Sequence, residues 1–323
     1  MEDFQQGADH SSRSIRSAAL RGYVPDKCLA ALIKAASVQD LRRSLVAIGG
    51  DHLMILLAGT LSYLLWHDVA WWAAALAAPV TLTIAGRAMR GLECLVHEAS
   101  HYNLTRRRRL NDAIANVLCA WPVLSEVQQY RTSHMIHHRS FGHADDPDRV
   151  RNLRLMLEDF DRSSLAALTV GAVRRIVPYV PGWWWAIGLD GGTVAKFVAW
   201  HVMALWLPLA VLLGPAQAAV FWVLAWGVPV FFALPVIRFI AEAAEHDYLP
   251  DDADATIFTR TWSNIGAIHR IVFHPHNDGY HAVHHLYPSV PHHKLHRVHR
   301  LLAERDQAFA TDALIRTKVT SSA

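Results

Sequence analysis

The sequence predicts an all-α integral membrane protein with four transmembrane helices, arranged as two hairpins, and a cytoplasmic helical cap. Three observations lead to this class. The 323-residue chain is 52% hydrophobic, and its apolar residues are concentrated in blocks of membrane-spanning length. Arginine collects at one end of the paired blocks, while the links inside the pairs hold none. Three histidine clusters lie outside the blocks, and we expect the cap to carry them.

Composition excludes several other classes. The net charge of +3 is too small to indicate a nucleic-acid partner, and the arginine run at residues 106–109 lies beside an apolar block, where it is typical of a cytoplasmic anchor. The three cysteines have no paired spacing, so they predict neither a disulfide framework nor a zinc ribbon, and we expect a reducing compartment. Acidic and basic residues precede the first apolar run, so no signal peptide is expected.

The chain is expected to divide into three parts. Residues 1–40 would hold a polar tail and an amphipathic helix that starts near Pro25 and places Leu29, Leu32, Ile33 and Ala36 on one face. Residues 41–303 would form the membrane domain. Residues 304–323 would be a C-terminal tail.

The four predicted spans cover residues 45–66, 69–85, 193–213 and 216–237. The first two are joined by a short link without Lys or Arg, whereas Arg42, Arg43, Arg87 and Arg90 lie at their other ends. The positive-inside rule therefore places both ends of this hairpin in the cytoplasm. We expect Asp51, near the start of the first span, to reach water at the interface.

The remaining apolar stretches do not change this topology. Residues 113–124 are too short to span the membrane, and residues 178–185, rich in Pro and Trp, are expected at the headgroup level. The last two spans form a second hairpin around Gly214 and Pro215. Because each hairpin crosses the membrane twice, the chain returns to the cytoplasm after the fourth span. Both termini and all three histidine clusters are therefore expected on that side.

The histidine clusters have the spacing of helical metal ligands. Positions i, i+3 and i+4 of a helix lie on one face, so each cluster aims its imidazoles at one point. The members are His97 and His101, then His134, His137 and His138, then His281, His284 and His285. Eight imidazoles exceed the needs of one zinc ion, which takes about four ligands. The pattern therefore favours two redox metals with open positions for oxygen.

Other polar residues are candidates for the same site. His246, just past the fourth span, would enter the cytoplasmic face beside the clusters. Nearby carboxylates would hydrogen-bond the far ring nitrogens of the ligands and orient them. These carboxylates are Glu98, Asp146, Asp148, Glu242, Glu245 and Asp247.

The combined motifs resemble those of the membrane fatty acid desaturase and hydroxylase superfamily, in its bacterial desaturase-like branch. The resemblance covers about residues 40–303 and includes Asn111-Asp112, Arg131, Asp146-Pro-Asp148 and Pro288 beside the histidines. It implies a di-iron centre, O2 as oxidant, an alkyl or acyl chain as substrate, and His246 as a ligand. Some members carry Asn where this chain has Glu242, and Asn277 is another possible polar ligand.

The resemblance also implies partners and a location. The sequence holds no GxGxxG, no CxxC and no HPGG motif, so a separate ferredoxin, rubredoxin or cytochrome b5-type donor with its reductase is expected. The bacterial inner membrane is the expected location. The sequence leaves open whether the product is an alkene or an alcohol. It also leaves the substrate open among acyl lipids, acyl thioesters, alkanes, carotenoids and small amino-acid-like metabolites.

Two other classes remain as alternatives. His97-Glu98-Ala-Ser-His101 also fits the HExxH pattern of zinc proteases, with Glu98 as general base and Asp278 as a third ligand. That interpretation leaves the second and third clusters unexplained. A metal transporter would need ionisable residues within the spans, which are nearly free of them.

The histidines at 292, 293, 296 and 299 are predicted on a cytoplasmic surface helix, and His274 and His276 either pack in the cap or support the ligands.

Overall fold

The computed structural model describes residues 25–157, 161–248 and 257–320, and these residues are mostly helical. The predicted tail at residues 1–24 lies outside the described residues. In chain order the helices are α1 (Lys27–Ala36), α2 (Leu41–Asp68), α3 (Trp71–Ser100), α4 (Arg108–Ala115), α5 (Val127–Ser140), α6 (Pro147–Leu155), α7 (Leu165–Ala186), α8 (Gly191–Leu213), α9 (Pro215–Glu242), α10 (Ile257–Arg260), α11 (His281–Leu286), α12 (His292–Arg305) and α13 (Gln307–Asp312).

Helix α1 is amphipathic, as its sequence predicts. Its buried residues are Leu29, Ile33 and Ala36. The carboxylate of Asp26 accepts hydrogen bonds from the backbone N–H groups of Cys28 and Leu29, so Asp26 is the N-cap. Pro25 therefore directly precedes the cap, and the helix starts two residues after it.

Four helices, α2, α3, α8 and α9, are long and apolar enough to cross a membrane. Helix α3 has 30 residues, which corresponds to about 45 Å and exceeds the roughly 30 Å of a hydrocarbon core. Its C-terminal turns therefore extend past the apolar part and carry His97 beyond it. The segment that carries the first histidine cluster is thus a continuation of the second spanning helix.

Asp51 of α2 joins these helices to the C-terminal part of the chain. It is completely buried. Its Oδ1 accepts a hydrogen bond from Nη1 of Arg87 on α3 at 2.8 Å, and its Oδ2 lies 2.6 Å from Nε2 of His276. The expectation that Asp51 reaches water is therefore wrong, because two partners from distant parts of the chain enclose its carboxylate.

Gly91 allows α2 and α3 to approach closely at this point. A Cβ atom at position 91 would lie 2.3 Å from Oδ2 of Asp51. The carboxylate cannot move aside without losing Arg87 or His276. We therefore expect Gly91→Ala to lower the free energy of unfolding by about 1–3 kcal/mol, as overpacking of a filled interior does.

Thermal unfolding in detergent would measure this change. Gly50→Ala is the matched control, because a Cβ there meets no atom of the described residues within 4 Å. Helix propensity should then leave the control unchanged or raise its stability by up to about 1 kcal/mol. Equal unfolding temperatures for the two variants would show that the close approach of α2 and α3 at Gly91 does not contribute to stability.

Residues 113–124 form short, irregular helical structure. Helix α4 passes into a π-helical turn at Asn116–Ala120 and a 3-10 turn at Trp121–Val123. Nε1 of Trp226 on α9 donates a hydrogen bond to the carbonyl oxygen of Pro122 at 2.8 Å, which ties this segment to a spanning helix. The segment is not among the spanning candidates, in agreement with its length.

Helix α12 is more buried than the sequence predicts. His292, His293 and His299 are buried, whereas His296 is exposed. The prediction of a surface helix is wrong for this face, because Leu295, Val298 and Leu302 pack in a core that also contains Leu29 and Ile33 of α1. The many basic side chains of α12 led to the prediction of an exposed helix, although Leu295, Val298 and Leu302 form an apolar face on it.

Residues 304–320, most of the predicted C-terminal tail, fold back onto the domain. They contain the end of α12, helix α13 and strand β2 (Ile315–Arg316). Strand β2 pairs in parallel with β1 (Ser263–Asn264). The guanidinium of Arg316 also donates to the carbonyl oxygen of Ala244 at 2.9 Å. These contacts support the segment that carries His246.

Candidate metal centre

Nine buried or half-buried histidines converge from four segments: the end of α3, helix α5, helix α11 and the turn after α9. Ligand atoms of five of them, His97, His101, His134, His138 and His284, lie within 4.8 Å of one another. His137, His246 and His285 form another such set. His281 joins this second set, because its Nε2 lies 3.1 Å from Nε2 of His246 and 3.2 Å from that of His285. We call these sets the five-histidine group and the four-histidine group.

The HxxHH spacing explains why the motifs divide between two groups. Adjacent residues of a helix point about 100° apart, whereas i and i+4 point nearly the same way. His134 and His138 therefore enter the five-histidine group, and His137 between them faces the other group. On α11 the assignment reverses, with His284 in the five-histidine group and His285 in the other. Each HxxHH motif thus supplies ligand atoms to both groups, whereas His97 and His101 both belong to the five-histidine group.

The distances between ring nitrogens fit metal coordination. Nε2 of His97 lies 2.8 Å from that of His284, and Nε2 of His101 lies 2.9 Å from that of His134. In the other group, Nε2 of His137 lies 3.3 Å from that of His285. With metal–imidazole bonds of about 2.1 Å, neighbouring ligand atoms are about 3.0 Å apart in octahedral and about 3.4 Å apart in tetrahedral geometry. Both groups therefore fit a metal ion.

Several ligand candidates are oriented through their other ring nitrogen. Nδ1 of His97 lies 3.0 Å from Oδ1 of Asp278, and Nδ1 of His137 lies 2.8 Å from Oδ1 of Asp146. Nδ1 of His246 lies 3.3 Å from the hydroxyl of Thr261. Such partners select the tautomer that leaves Nε2 free for a metal.

Arg90 of α3 supports the same arrangement from the membrane side. Its guanidinium lies 3.0 Å from Oδ2 of Asp278 and 3.5 Å from Oε1 of Glu245. Burial raises the pKa of Asp278, but the Arg90 charge and the bond to His97 outweigh burial and hold the pKa well below its usual range. Asp278 therefore stays ionised and accepts the His97 N–H.

Most of the histidines are neutral, as metal ligands must be. Burial, followed by repulsion from neighbouring charged groups, lowers the pKa well below its usual value for His101, His134, His138, His246, His284 and His285. Burial also lowers the pKa of His281 to about 4, although Glu245 and Asp278 oppose it. His137 is the exception. Burial alone would lower its pKa, but Asp146 and Asp148 raise it to about 9, so a metal ion must displace a proton there.

Asp146 is expected to control metal affinity through His137. It is fully buried and also accepts from the backbone N–H groups of Gly142 and Asp148. We expect Asp146→Asn to weaken metal binding about 10–100-fold, because the amide lacks the negative charge beside the His137 ring and its Nδ2 cannot accept from the backbone N–H of Gly142. Metal retained after dialysis against a graded chelator series would measure this. Glu304→Gln, on the exposed part of α12, is the control, and equal retention in both variants would contradict the prediction.

The structure directs other predicted residues elsewhere. Oε2 of Glu98 accepts from the backbone N–H of His292 at 2.7 Å, and Nδ2 of Asn277 donates to the carbonyl oxygen of His292 at 3.1 Å. Glu242 pairs with Arg151 at 3.0 Å. Neither Asn277 nor Glu242 joins a histidine group, because each side chain has another partner. Asp148 lies 3.7 Å from Nδ1 of His137.

The contacts of Glu98 and Asp278 also disfavour a zinc-protease site. Glu98 would have to face a metal-bound water to act as a general base, yet its carboxylate binds the backbone of α12. Asp278 contacts Nδ1 of His97, the nitrogen opposite the one that faces the histidine group. Asp278 therefore does not lie where it could share a metal ion with His97.

The two histidines left open by the sequence lie apart from the groups. His276 binds Asp51 and belongs to the packing of the segment before α11 against α2. His274 is completely buried, and its Nε2 lies 3.6 Å from Glu245, whose other oxygen lies 3.9 Å from Nε2 of His281. His274 therefore contacts a carboxylate that faces a candidate ligand.

Sequence reasoning missed Arg90, Thr261 and the orienting contact of Asp278. Asp278 was considered only as a zinc ligand. Its position three residues before His281 was a usable signal, because polar residues next to a histidine motif often support it. Arg90 lies seven residues before His97 on α3, on the same helical face. Thr261 had no signal, because tertiary packing alone brings it to His246.

Comparison with known proteins is consistent with this site. The fatty acid desaturase family model matches residues 70–312, which include all nine histidines. The chain is also similar to a dihydrorhizobitoxine desaturase of Bradyrhizobium elkanii. The two are 22% identical over 262 residues, which cover 72% of this chain and 68% of that relative.

Proposed function

Because this chain belongs to the fatty acid desaturase family, we propose that it is an O2-dependent di-iron oxidoreductase that introduces a double bond into an alkyl or acyl chain. The convergence of nine imidazoles in two groups is the observation that carries the proposal. When bound, two iron ions would supply the activation of O2 needed to remove hydrogen from an unactivated C–H bond. The protein supplies ligation and orientation.

The residues that would hold the ions follow from the two groups. The five-histidine group would hold one iron through His97, His101, His134, His138 and His284. The four-histidine group would hold the other through His137, His246, His281 and His285. Asp278 and Asp146 keep the His97 and His137 rings in place during turnover, since each binds the ring nitrogen that faces away from the group.

The proposed reaction needs electrons from outside the chain. Removal of two hydrogen atoms from a CH2–CH2 unit yields an alkene, and O2 takes up these atoms with two further electrons and two protons to form two water molecules. A ferredoxin, rubredoxin or cytochrome b5-type donor with its reductase would supply the electrons. The arginines at residues 42, 43 and 106–109 support a cytoplasmic position of the site in a bacterial inner membrane, with the four spanning helices as two hairpins.

Isotope-resolved product analysis tests this function. Cells with the native chain and cells with His137→Ala would be grown under heavy-isotope O2, and their acyl chains and small metabolites compared by mass spectrometry. We expect a compound that has lost two hydrogen atoms, without heavy oxygen, only in cells with the native chain. Incorporated heavy oxygen would instead indicate hydroxylation. Identical profiles at normal expression would contradict an oxidoreductase function.

A further inference from the structure

An open cavity lies on the segment that precedes α11, outside the two histidine groups. It has a volume of about 430 Å³. Its lining residues are Ala267, Arg270, Ile271, His276 and Asn277. A guanidinium group and an aliphatic side chain therefore share one opening.

Two contacts hold this segment against the first two spanning helices. Nε of Arg87, which lies just past the second predicted span, donates a hydrogen bond to the carbonyl oxygen of Ile271 at 2.9 Å. Nε2 of His276 lies 2.6 Å from Oδ2 of Asp51, near the start of the first span. The cavity is therefore near the level where the apolar parts of α2 and α3 end, and lipid headgroups lie at this level of a bilayer.

Exposed apolar side chains lie in the same segment. Ile271 is 64% exposed, and Ile268, three residues before it, is 58% exposed. Because Arg87 binds the backbone of Ile271, these side chains lie beside the end of α3. Aliphatic groups in this position gain free energy when acyl chains replace the water around them.

Basic side chains from three segments gather at this cavity. Asn277 donates a hydrogen bond to the carbonyl oxygen of His292 at 3.1 Å, which holds the start of α12 against the cavity. The pKa of His296 on α12 shows how close the cations are, because partial burial and then four arginine charges lower it. We call these four residues the arginine cluster: Arg43 at the start of α2, Arg270 in the cavity, and Arg297 and Arg300 on α12.

The arginine cluster lacks the carboxylates that balance the interior arginines. Arg270, Arg297 and Arg300 are exposed and form no salt bridge among residues 25–157, 161–248 and 257–320. Arg43 lies 3.4 Å from Asp40, but such an exposed pair contributes little. In contrast, a carboxylate pairs with each of Arg87, Arg90, Arg131, Arg151 and Arg238. The cluster therefore leaves a local excess of positive charge that an anion can balance.

An anionic phospholipid meets both requirements of this surface. Its phosphate oxygens accept charge-assisted hydrogen bonds from guanidinium groups, and its acyl chains would cover Ile268 and Ile271. Clusters of four or more basic residues directly beside a spanning helix are typical of binding sites for such lipids. An acidic soluble protein would balance the charge but would leave the two isoleucines without an apolar partner.

We propose that the cavity at Arg270 and the arginine cluster bind the headgroup of an anionic phospholipid. The phosphate would lie between Arg270 and the arginines of α12, and the acyl chains would run along Ile271 beside the end of α3. This inference goes beyond the proposed function, because the site lies outside the histidine groups and does not depend on the reaction that they support.

Native mass spectrometry of the full chain, purified in neutral detergent, tests the lipid. The probes are dioleoyl phosphatidylglycerol and dioleoyl phosphatidylcholine, which share their acyl chains and differ in headgroup charge. We expect phosphatidylglycerol to bind at least about fivefold more tightly, as even one basic residue beside an anionic lipid allows. Equal affinities would overturn the inference.

Two competitors distinguish the lipid from other anions. Inorganic phosphate at the same concentration should leave phosphatidylglycerol bound, whereas displacement would indicate a site for free phosphate. A plant-type ferredoxin should also leave the lipid bound. Displacement of the lipid by this acidic protein would assign the arginine cluster to a soluble partner and overturn the inference.

Substitution of exposed arginines separates a binding site from a general effect of net charge. We expect Arg270→Gln combined with Arg297→Gln to weaken phosphatidylglycerol about 25-fold, at about fivefold for each charge, and to leave phosphatidylcholine unchanged. Arg174→Gln, which removes an exposed arginine from α7, is the control and should change either affinity less than about twofold. Equal losses in Arg174→Gln and in Arg270→Gln alone would show that net charge attracts the lipid, and would overturn the site.

Discussion

Replacing either His137 or His284 with alanine should remove bound iron and abolish turnover. The native chain purified in detergent is expected to hold about two iron ions, one for each histidine group. His137 belongs to the four-histidine group and His284 to the five-histidine group, so each substitution removes a ligand from a different group. We expect each variant to lose at least one ion and to fall more than about 100-fold in turnover.

Elemental analysis of iron per chain measures this directly. His296→Ala is the matched control, since His296 lies on the exposed side of α12 outside both groups and should keep both ions. About one zinc per chain that survives both substitutions would contradict a di-iron centre. Such a result would favour the zinc-protease interpretation of the HExxH pattern.

Breaking the ion pair between Glu93 and Arg238 should have the largest effect on stability. Glu93 of α3 and Arg238 of α9 are 6% and 2% exposed, and Nη1 of Arg238 lies 2.5 Å from Oε1 of Glu93. The guanidinium also lies over the Trp183 ring, 4.2 Å from its centroid. Glu93→Ala leaves this guanidinium buried without its carboxylate. We expect a loss of about 3–5 kcal/mol in the free energy of unfolding.

A double substitution distinguishes the cost of leaving a buried charge unpaired from the cost of losing side-chain volume. Glu93→Leu combined with Arg238→Met removes both charges and keeps most of the volume, so we expect it to recover most of the stability. Unfolding in a graded detergent series would compare Glu93→Leu, Arg238→Met and the double variant. Full additivity of the two single losses in the double variant would mean that the charges do not interact.

The positions of the helices were largely predictable from the sequence. Helix α3 illustrates this, because its apolar block, its length and the i, i+4 spacing of His97 and His101 are all local properties. The helical form of the three histidine motifs follows from the same spacing. Asp51 was not predictable in this way. A charged residue near the start of an apolar block reads as solvent-exposed until its partners, Arg87 and His276, are known.

The candidate site likewise has features that the local sequence predicts and features that depend on the tertiary structure. Local spacing determined which histidines would point together from each helix, and their number indicated more than one metal ion. Only the tertiary structure decided how they divide into groups of five and four, that Asp278 and Thr261 orient His97 and His246, and that Asn277 and Glu242 face other partners. The physical reason is range. Helix periodicity acts over about four residues, whereas buried polar groups find their partners across segments that packing alone brings together.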